Sequence, residues 1–176
     1  LPLDIMLVAS ANPDDYTNRG RIITPLKDRF GSQIRTHYPL EVDLEYLIMQ
    51  QEATTTSVGG VTVEVPDYLG LVVAEFSHLA RASSHVNQRS GVSVRLSVAN
   101  YESLAANALR RGLRAGENPV VARVDDLDAL AASSIGKIEI ESMDDGREGQ
   151  IFDNLIKGAV HQVFTNRHDG TLTAAI

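Results

Sequence analysis

The stretch that decides the fold reads IMLVASANP at residues 5–13, and a second stretch, PLKDRFG, follows at residues 25–31. A short unbroken apolar run suits the centre of a parallel sheet, so the first stretch predicts a strand at 3–10. Asn12 follows the predicted strand, at the sheet edge where α/β folds bind ligands. The second stretch predicts a short helix near 22–30, with Gly31 as its C-cap.

The order of these features resembles the second half of an AAA+ ATPase core, most closely the MoxR and magnesium-chelatase branch. The features are a strand, Asn-Pro, a loop and then L-x-D-R-F-G. The resemblance implies that Asn12 is the sensor-1 residue, which orients or polarises the water that attacks the γ-phosphate. It implies that Arg29 is the arginine finger, which reaches the ATP of the next protomer in a ring. Asp28 would orient Arg29 or bridge the subunit contact. A guanidinium suits the finger's role because it is always charged and contacts two oxygens at once.

Residues 41–134 read as a mainly helical region. VTVEV at 61–65 alternates with a period of two, and apolar residues at helical spacing predict amphipathic helices at about 67–82 and 93–112. GVSVR at 91–95 opens the second of these helices and resembles the lid of MoxR-type ATPases, in which G-x-S-x-R carries the sensor-2 arginine. The resemblance implies that Arg95 contacts the nucleotide and reports its state to the lid, in its own site or a neighbour's.

The last part of the chain, 135–176, resembles no family. Its pattern predicts a short strand at 137–140 and a final helix at about 150–166. The apolar residues of that helix form one broad stripe, which consists of Ile151, Phe152, Leu155, Ile156, Ala159, Val160, Val163 and Phe164. Such a stripe must be covered, and we expect it to pack on the helices at 67–82 and 93–112. The alternative is that it docks on another domain or subunit.

The expected fold class is an α+β fragment, in which the last strands of an AAA+ α/β core are followed by a mostly α-helical lid. Residues 1–40 would hold the sensor-1 strand, the arginine-finger helix and a last strand at 34–38, which Pro39 ends. Residues 41–134 would form the lid with sensor 2, and residues 135–176 a helical extension packed on it. Asp43 and Asp125 are the expected N-caps of two lid helices.

The chain contains no G-x-x-x-x-G-K-[S/T] loop, the motif whose backbone N–H groups cradle phosphates. Gly136-Lys137 is its one Gly-Lys pair, and Ala131 stands where the first glycine would be needed. The chain also begins with Leu1, almost directly in a predicted core strand. We therefore expect it to be the C-terminal part of a larger ATPase. ATP and Mg²⁺ would bind to the full-length protein, and neither is expected to bind this part tightly.

Composition narrows the function classes. The 176 residues are 43% hydrophobic and 22% charged, as in an ordinary globular protein. The net charge of −7 argues against binding nucleic acid through a basic surface, and the basic cluster at 110–114 fits the last turn of a helix. The absence of cysteine excludes disulfides and thiolate metal sites and is compatible with the cytoplasm. No apolar run is long enough to predict a membrane span.

Each candidate residue also has a structural interpretation. Asn12-Pro13 could be a turn, Asp28 and Arg29 a surface ion pair, and Arg95 part of a solvated helix face. The order of the three motifs favours the functional interpretation. The histidines predict no metal site, because no carboxylates stand near them at a convincing ligand spacing.

The function expected from the resemblance is ATP hydrolysis in a homo-oligomeric ring, coupled to remodelling of an unknown protein client or to metal insertion. No nucleic acid or membrane is expected among the partners. The alternative, from a different class, is a non-enzymatic helical binding or oligomerisation module derived from such an ATPase. A transcription activator of the sigma-54 type is disfavoured, because no helix-turn-helix is evident and the charge is acidic.

Overall fold

The computed structural model describes residues 4–10, 24–55, 57–87, 91–140 and 147–168. The chain forms two compact units, Leu1–His37 and Tyr38–Ile176. It is rich in α-helix and has one small parallel sheet, which agrees with an α+β chain. In chain order the elements are α1 (Thr24–Lys27), α2 (Val42–Glu52), β1 (Val63–Glu64), α3 (Asp67–Ala82), α4 (Val94–Ala115), β2 (Val120–Val121), a 3-10 helix (Val124–Asp128), α5 (Ala129–Ser134) and α6 (Glu148–His168).

The strands predicted in the first unit are not formed, which corrects the expectation from the apolar run. Residues 4–10 have no regular secondary structure, and the side chains from Ile5 to Val8 are at least 71% exposed. Residues 34–38 also form no strand, and Ile34 is 89% exposed. A buried strand needs a neighbouring strand for its backbone hydrogen bonds and a layer that covers its side chains. The described residues of the first unit supply neither, although α1 forms within the predicted helix near 22–30.

Helix α3 lies at the centre of the second unit and contacts α2, α4 and α6. It begins after Pro66, a residue that cannot donate a backbone hydrogen bond and therefore suits a helix start. Its apolar residues recur at helical spacing, and the predicted face is buried. Its fully or almost fully buried members are Leu69, Val72, Val73, Phe76 and Ala80. The predicted helix and its core face are confirmed.

Helix α4 runs three residues beyond its predicted end at Gly112 and stops before Gly116, which has the left-handed conformation typical of a helix C-cap. Gly112 has a packing role instead. A Cβ atom at this position would lie 2.1 Å from Cγ2 of Val120, so only glycine lets β2 approach the helix this closely. β2 pairs in parallel with β1, with Val63 opposite Val120. This short sheet joins the segment before α3 to the segment after α4.

The helix caps differ from the predicted ones. Helix α2 begins at Val42, so Asp43 lies inside its first turn and not at the cap. The 3-10 helix is preceded by Arg123, whose backbone N–H donates to Oδ2 of Asp126 at 2.9 Å. The carboxylate that caps this helix therefore belongs to Asp126, which is buried, and not to the exposed Asp125.

Among the described residues helix α6 packs along α3, as predicted, but has no comparable contact with α4, where packing was also predicted. It is several residues longer than predicted. Phe152, Ala159 and Val163 are buried, and the ring of Phe152 stacks on that of Phe76 with 6.3 Å between centroids. Much of the apolar stripe is thus covered, while Phe164 stays 53% exposed. The short strand predicted at 137–140 is reduced to isolated bridges, one of which joins Ile140 to Val86. The assignment of 135–176 to an ATPase lid stays a prediction.

Truncation of Phe152 tests the contact between α6 and α3. We expect Phe152→Ala to lower the free energy of unfolding by about 3–5 kcal/mol, since it leaves a cavity against Phe76. Phe164→Ala, on the same helix, is the matched control and should cost less than about 1 kcal/mol. Urea unfolding followed by circular dichroism measures both. Equal losses for the two variants would contradict this packing.

Candidate functional site

The predicted site residues fall in both units. Asn12 lies outside the described residues. Asp28 and Arg29 follow α1 in the first unit, and both are exposed. Arg29 donates from Nη1 to the carbonyl oxygen of Pro25 at 2.7 Å, which ties its side chain to the start of α1. The surface ion pair considered for Asp28 and Arg29 is not found among the described residues.

Arg95 lies on the first turn of α4, in the second unit, and is exposed. Among the residues that the structure describes it makes no ion pair. A helix N-terminus carries partial positive charge from its free N–H groups, so a cation there is placed against the helix dipole. The dipole therefore disfavours Arg95 at this position of α4, and an anion bound there would offset that cost.

A buried polar cluster of the second unit is built around Glu45 of α2, a carboxylate with no exposure to solvent. Arg81 of α3 donates to both of its oxygens, from Nη1 to Oε2 at 2.5 Å and from Nη2 to Oε1 at 2.7 Å. Ser97 of α4 donates to Oε1 as well. A buried carboxylate is tolerated only when it is paired and hydrogen-bonded, and this one meets both conditions.

Two further side chains complete the surroundings of Glu45. Nε2 of His78 lies 2.9 Å from Oε2, at an ion-pair distance but without the geometry of a hydrogen bond. The hydroxyl oxygen of Ser77 lies 2.8 Å from that of Ser97. Helices α2, α3 and α4 are thus joined at one carboxylate. Removing one partner of such a buried pair costs about 3–5 kcal/mol, because the other charge is left uncompensated.

Arg81 also reaches the segment that precedes α4. Its Nε donates to the carbonyl oxygen of Val92 at 2.8 Å, and its guanidinium stacks over the ring of Tyr38 at 4.7 Å from the centroid. Contacts of a planar guanidinium with a carboxylate and with an aromatic face are both favourable. One side chain therefore links α2, α3, Tyr38 and the loop that leads to Arg95.

The same loop needs glycine at position 91. Gly91 has φ of +69°, a conformation that side chains with Cβ rarely adopt. A Cβ atom here would also lie 2.7 Å from the hydroxyl oxygen of Tyr38. Steric fit and backbone conformation thus both account for the glycine that opens GVSVR.

A second ion-pair network lies at the opposite end of α4. Arg111 donates to both carboxylate oxygens of Asp126, to Glu117 at 2.9 Å and to the carbonyl oxygen of Val121 at 2.8 Å. Nη2 of Arg123 donates to the other carboxylate oxygen of Glu117, at a distance of 2.7 Å. These contacts explain part of the basic cluster at 110–114. Arg111 anchors the strand β2 and the 3-10 helix to the last turns of α4.

The described residues form neither a metal-binding cluster nor a membrane span. In the described parts of the chain no three His, Cys, Asp or Glu side chains come together as a metal ion would need. Of the histidines, His78 contacts Glu45, whereas His85 and His161 are exposed. None of the described helices is both long enough and apolar enough to span a bilayer.

The sequence pattern did not reveal the Glu45 cluster. One signal was present, because Glu45 shares the inward face of α2 with Val42, Tyr46 and Met49 at helical spacing. A charged residue on such a face predicts a buried partner. Its partners are 36 and 52 residues away along the chain, in Arg81 and Ser97, and nothing local identifies them.

Comparisons with protein-family models, with curated proteins and with solved structures find no match to this chain. The AAA+ assignment therefore rests on the residues and motifs that suggest it.

Glu75, one turn before His78 on α3, gives a pH-dependent prediction. Burial raises the pKa of its carboxyl above the ordinary value of 4.5, and the nearby His78 opposes part of this rise. The folded chain therefore holds this proton more tightly than the unfolded chain does. The stability that Glu75 contributes is complete below about pH 4.5 and is lost as the pH rises through the folded-state pKa.

We therefore expect Glu75→Gln to stabilise the chain at pH 7.5 by about 1 kcal/mol. The gain should shrink as the pH falls towards 4.5, where both side chains are neutral. Urea unfolding at several pH values measures it. Glu64→Gln, at an exposed position, is the control and should change little. A gain that is equal at all pH values would show that desolvation of the charge is not its cause.

Proposed function

We propose that this chain is the C-terminal part of an AAA+ ATPase of the MoxR and magnesium-chelatase-like branch. In a homo-oligomeric ring it would couple ATP hydrolysis to remodelling of a protein client or to metal insertion. The observation that carries the proposal is the placement of Arg95, exposed and without an ion pair among the described residues, on the first turn of a 22-residue helix. A phosphate would find a guanidinium and the positive end of a helix dipole together there.

The first unit contributes the residues proposed to act on the reacting phosphate. Arg29 is exposed beside a short helix, and it would reach the nucleotide of a neighbouring protomer. Phosphoryl transfer builds charge on the phosphate oxygens, so a positioned guanidinium stabilises the transition state more than the ground state. Asp28 would orient Arg29 or bridge the subunits, and Asn12 would orient the attacking water.

Bound ATP and Mg²⁺ would supply the transferred phosphoryl group and its counter-charge. Arg29 in the first unit and Arg95 in the second would each offer a guanidinium group to phosphate oxygens. The phosphate-binding loop would lie in the polypeptide that precedes this chain in the full-length protein. The exposed apolar residues at 5–8 and Ile34 support this arrangement, because the rest of an ATPase core would cover them.

Those exposed residues equally suit the alternative, a helical binding or oligomerisation module derived from such an ATPase. The coding context separates the two. A reading frame that continues upstream and encodes G-x-x-x-x-G-K-[S/T] supports the ATPase, whereas a start codon just before this chain supports the module.

The finger assignment is tested in the full-length ATPase. We expect Arg29→Ala to lower turnover about a thousandfold or more while nucleotide affinity changes little, because the contact forms mainly in the transition state. Arg35→Ala, an exposed arginine in the same unit, is the control and should keep its activity. Steady-state ATPase rates and calorimetric nucleotide binding give both quantities. An Arg29→Ala variant with normal turnover would remove Arg29 from this role.

The sensor assignment has its own test. We expect Arg95→Ala to lower kcat/KM for ATP at least about tenfold, since each 1.4 kcal/mol of lost charge-assisted contact is a factor of ten. Arg114→Ala, exposed near the other end of α4, is the control. If both variants behave like the parent enzyme, Arg95 does not contact the nucleotide and the proposed function loses its main support.

A further inference from the structure

Two contacts fix the first turn of α4 on either side of Arg95. Three residues before it, the carbonyl oxygen of Val92 accepts from Nε of Arg81 at 2.8 Å. Two residues after it, the hydroxyl of Ser97 donates to the carboxylate of Glu45. Since Glu45 and Arg81 are themselves a bidentate pair, both contacts lead to the same buried group.

The burial of this group gives it rigidity. Glu45 has no exposed area, and the side chain of Arg81 is 14% exposed. A charge removed from water is held by fixed partners, so any shift of the loop at 91–93 would break a bond to a buried guanidinium. Arg95 is exposed, yet the backbone that carries it is tied to the core.

Only arginine can make this set of contacts. Its planar fork presents Nη1 and Nη2 to Glu45 while Nε points along another direction to Val92. A lysine has one nitrogen, which can hold the carboxylate or the carbonyl but does not span both. Arg81 is therefore more than the counter-charge that Glu45 requires.

We propose that Arg81 is a positioning residue for Arg95: by bridging the Glu45 carboxylate to the Val92 carbonyl, it sets the direction in which the first turn of α4 presents Arg95 to a nucleotide phosphate. This inference rests on the proposed function, because it assumes that Arg95 contacts the nucleotide. It adds a residue that never touches the nucleotide and acts through the backbone.

The chain contains a matched control for Arg81. Arg111 also holds a carboxylate with two nitrogens and donates to a backbone carbonyl, that of Val121. It lies sixteen residues beyond Arg95 on α4, about 24 Å away along the helix axis. Arg111→Lys thus removes the same kind of bridge from the opposite end of the same helix.

The first measurement needs no ATPase activity. In the 176-residue chain, Arg81→Lys should speed amide hydrogen exchange in the peptide 91–99 at least about tenfold and leave α6 unchanged, because the turn opens locally. Arg111→Lys should leave the peptide 91–99 unchanged. Unaltered exchange at 91–99 in Arg81→Lys would overturn the proposal, even if Arg95 proves to contact the nucleotide.

The second measurement is a double-mutant cycle in the full-length ATPase. Arg81→Lys should lower kcat/KM for ATP at least about fivefold in the parent background but less than about twofold in Arg95→Ala, because it acts through Arg95. A merely structural role would cost the same factor in both backgrounds and would overturn the proposal. If Arg95→Ala itself is without effect, the proposed function fails, and the exchange result still decides whether Arg81 holds the turn.

Should Arg81→Lys not fold, as judged by its circular dichroism, the double variant Glu45→Gln, Arg81→Gln takes its place in both measurements. It removes the two buried charges together and breaks the bridge from Glu45 to the carbonyl oxygen of Val92. The same changes in exchange and in kcat/KM are expected, each about threefold. Additive losses of kcat/KM with Arg95→Ala would again overturn the proposal.

Discussion

The burial of the Glu45 carboxylate is the constraint on which the arrangement of helices α2, α3 and α4 depends. A charge with no exposure must have an opposite charge beside it and a donor for each lone pair that faces the core. Arg81 supplies the charge from α3, and Ser97 supplies a donor from α4. The three helices therefore have one mutual orientation in which these atoms meet. Apolar side chains of equal volume could hold the helices together as firmly, but they would tolerate many small rotations.

The second network also pairs an arginine, Arg111, with carboxylates, but Arg111 is more exposed than Arg81. Its carboxylates belong to Asp126 and Glu117, and its carbonyl partner to Val121, so it fixes elements that follow α4 and not those that precede it. Hydrogen bonds to Asp126 and Glu117 raise the pKa of Arg111. Helix α4 is thus tied to the rest of the unit at both ends by an arginine, while apolar contacts along its middle supply most of the stabilising burial.

The helices of the second unit could be predicted from sequence because their apolar residues repeat with the helical period over three turns or more, as α3 and α6 show. The strands at 3–10 and 34–38 could not, because an apolar run shows that burial is favourable but does not show that a partner strand exists. Caps were misplaced by one or two residues at Asp43 and Asp125, since several acidic side chains compete near each helix start. The Glu45 cluster depends on pairing across 36 residues or more. The place of Glu45 on the apolar face of α2 indicates that a partner exists, but nothing local identifies that partner.

Burial distinguishes Arg81 and Arg111 from Arg29 and Arg95. Arg81 and Arg111 are partly withdrawn from water, and each is hydrogen-bonded through all three of its guanidinium nitrogens. An unpaired guanidinium there would cost several kcal/mol. Arg29 and Arg95 are exposed, so water solvates their guanidinium groups at no cost. An exposed side chain such as that of Arg95 is nevertheless mobile, and mobility would oppose the precise contact with a phosphate that the proposed function requires. A buried arginine that fixes the backbone beneath an exposed one resolves this conflict, since it orders the base of the side chain without occupying its charged end.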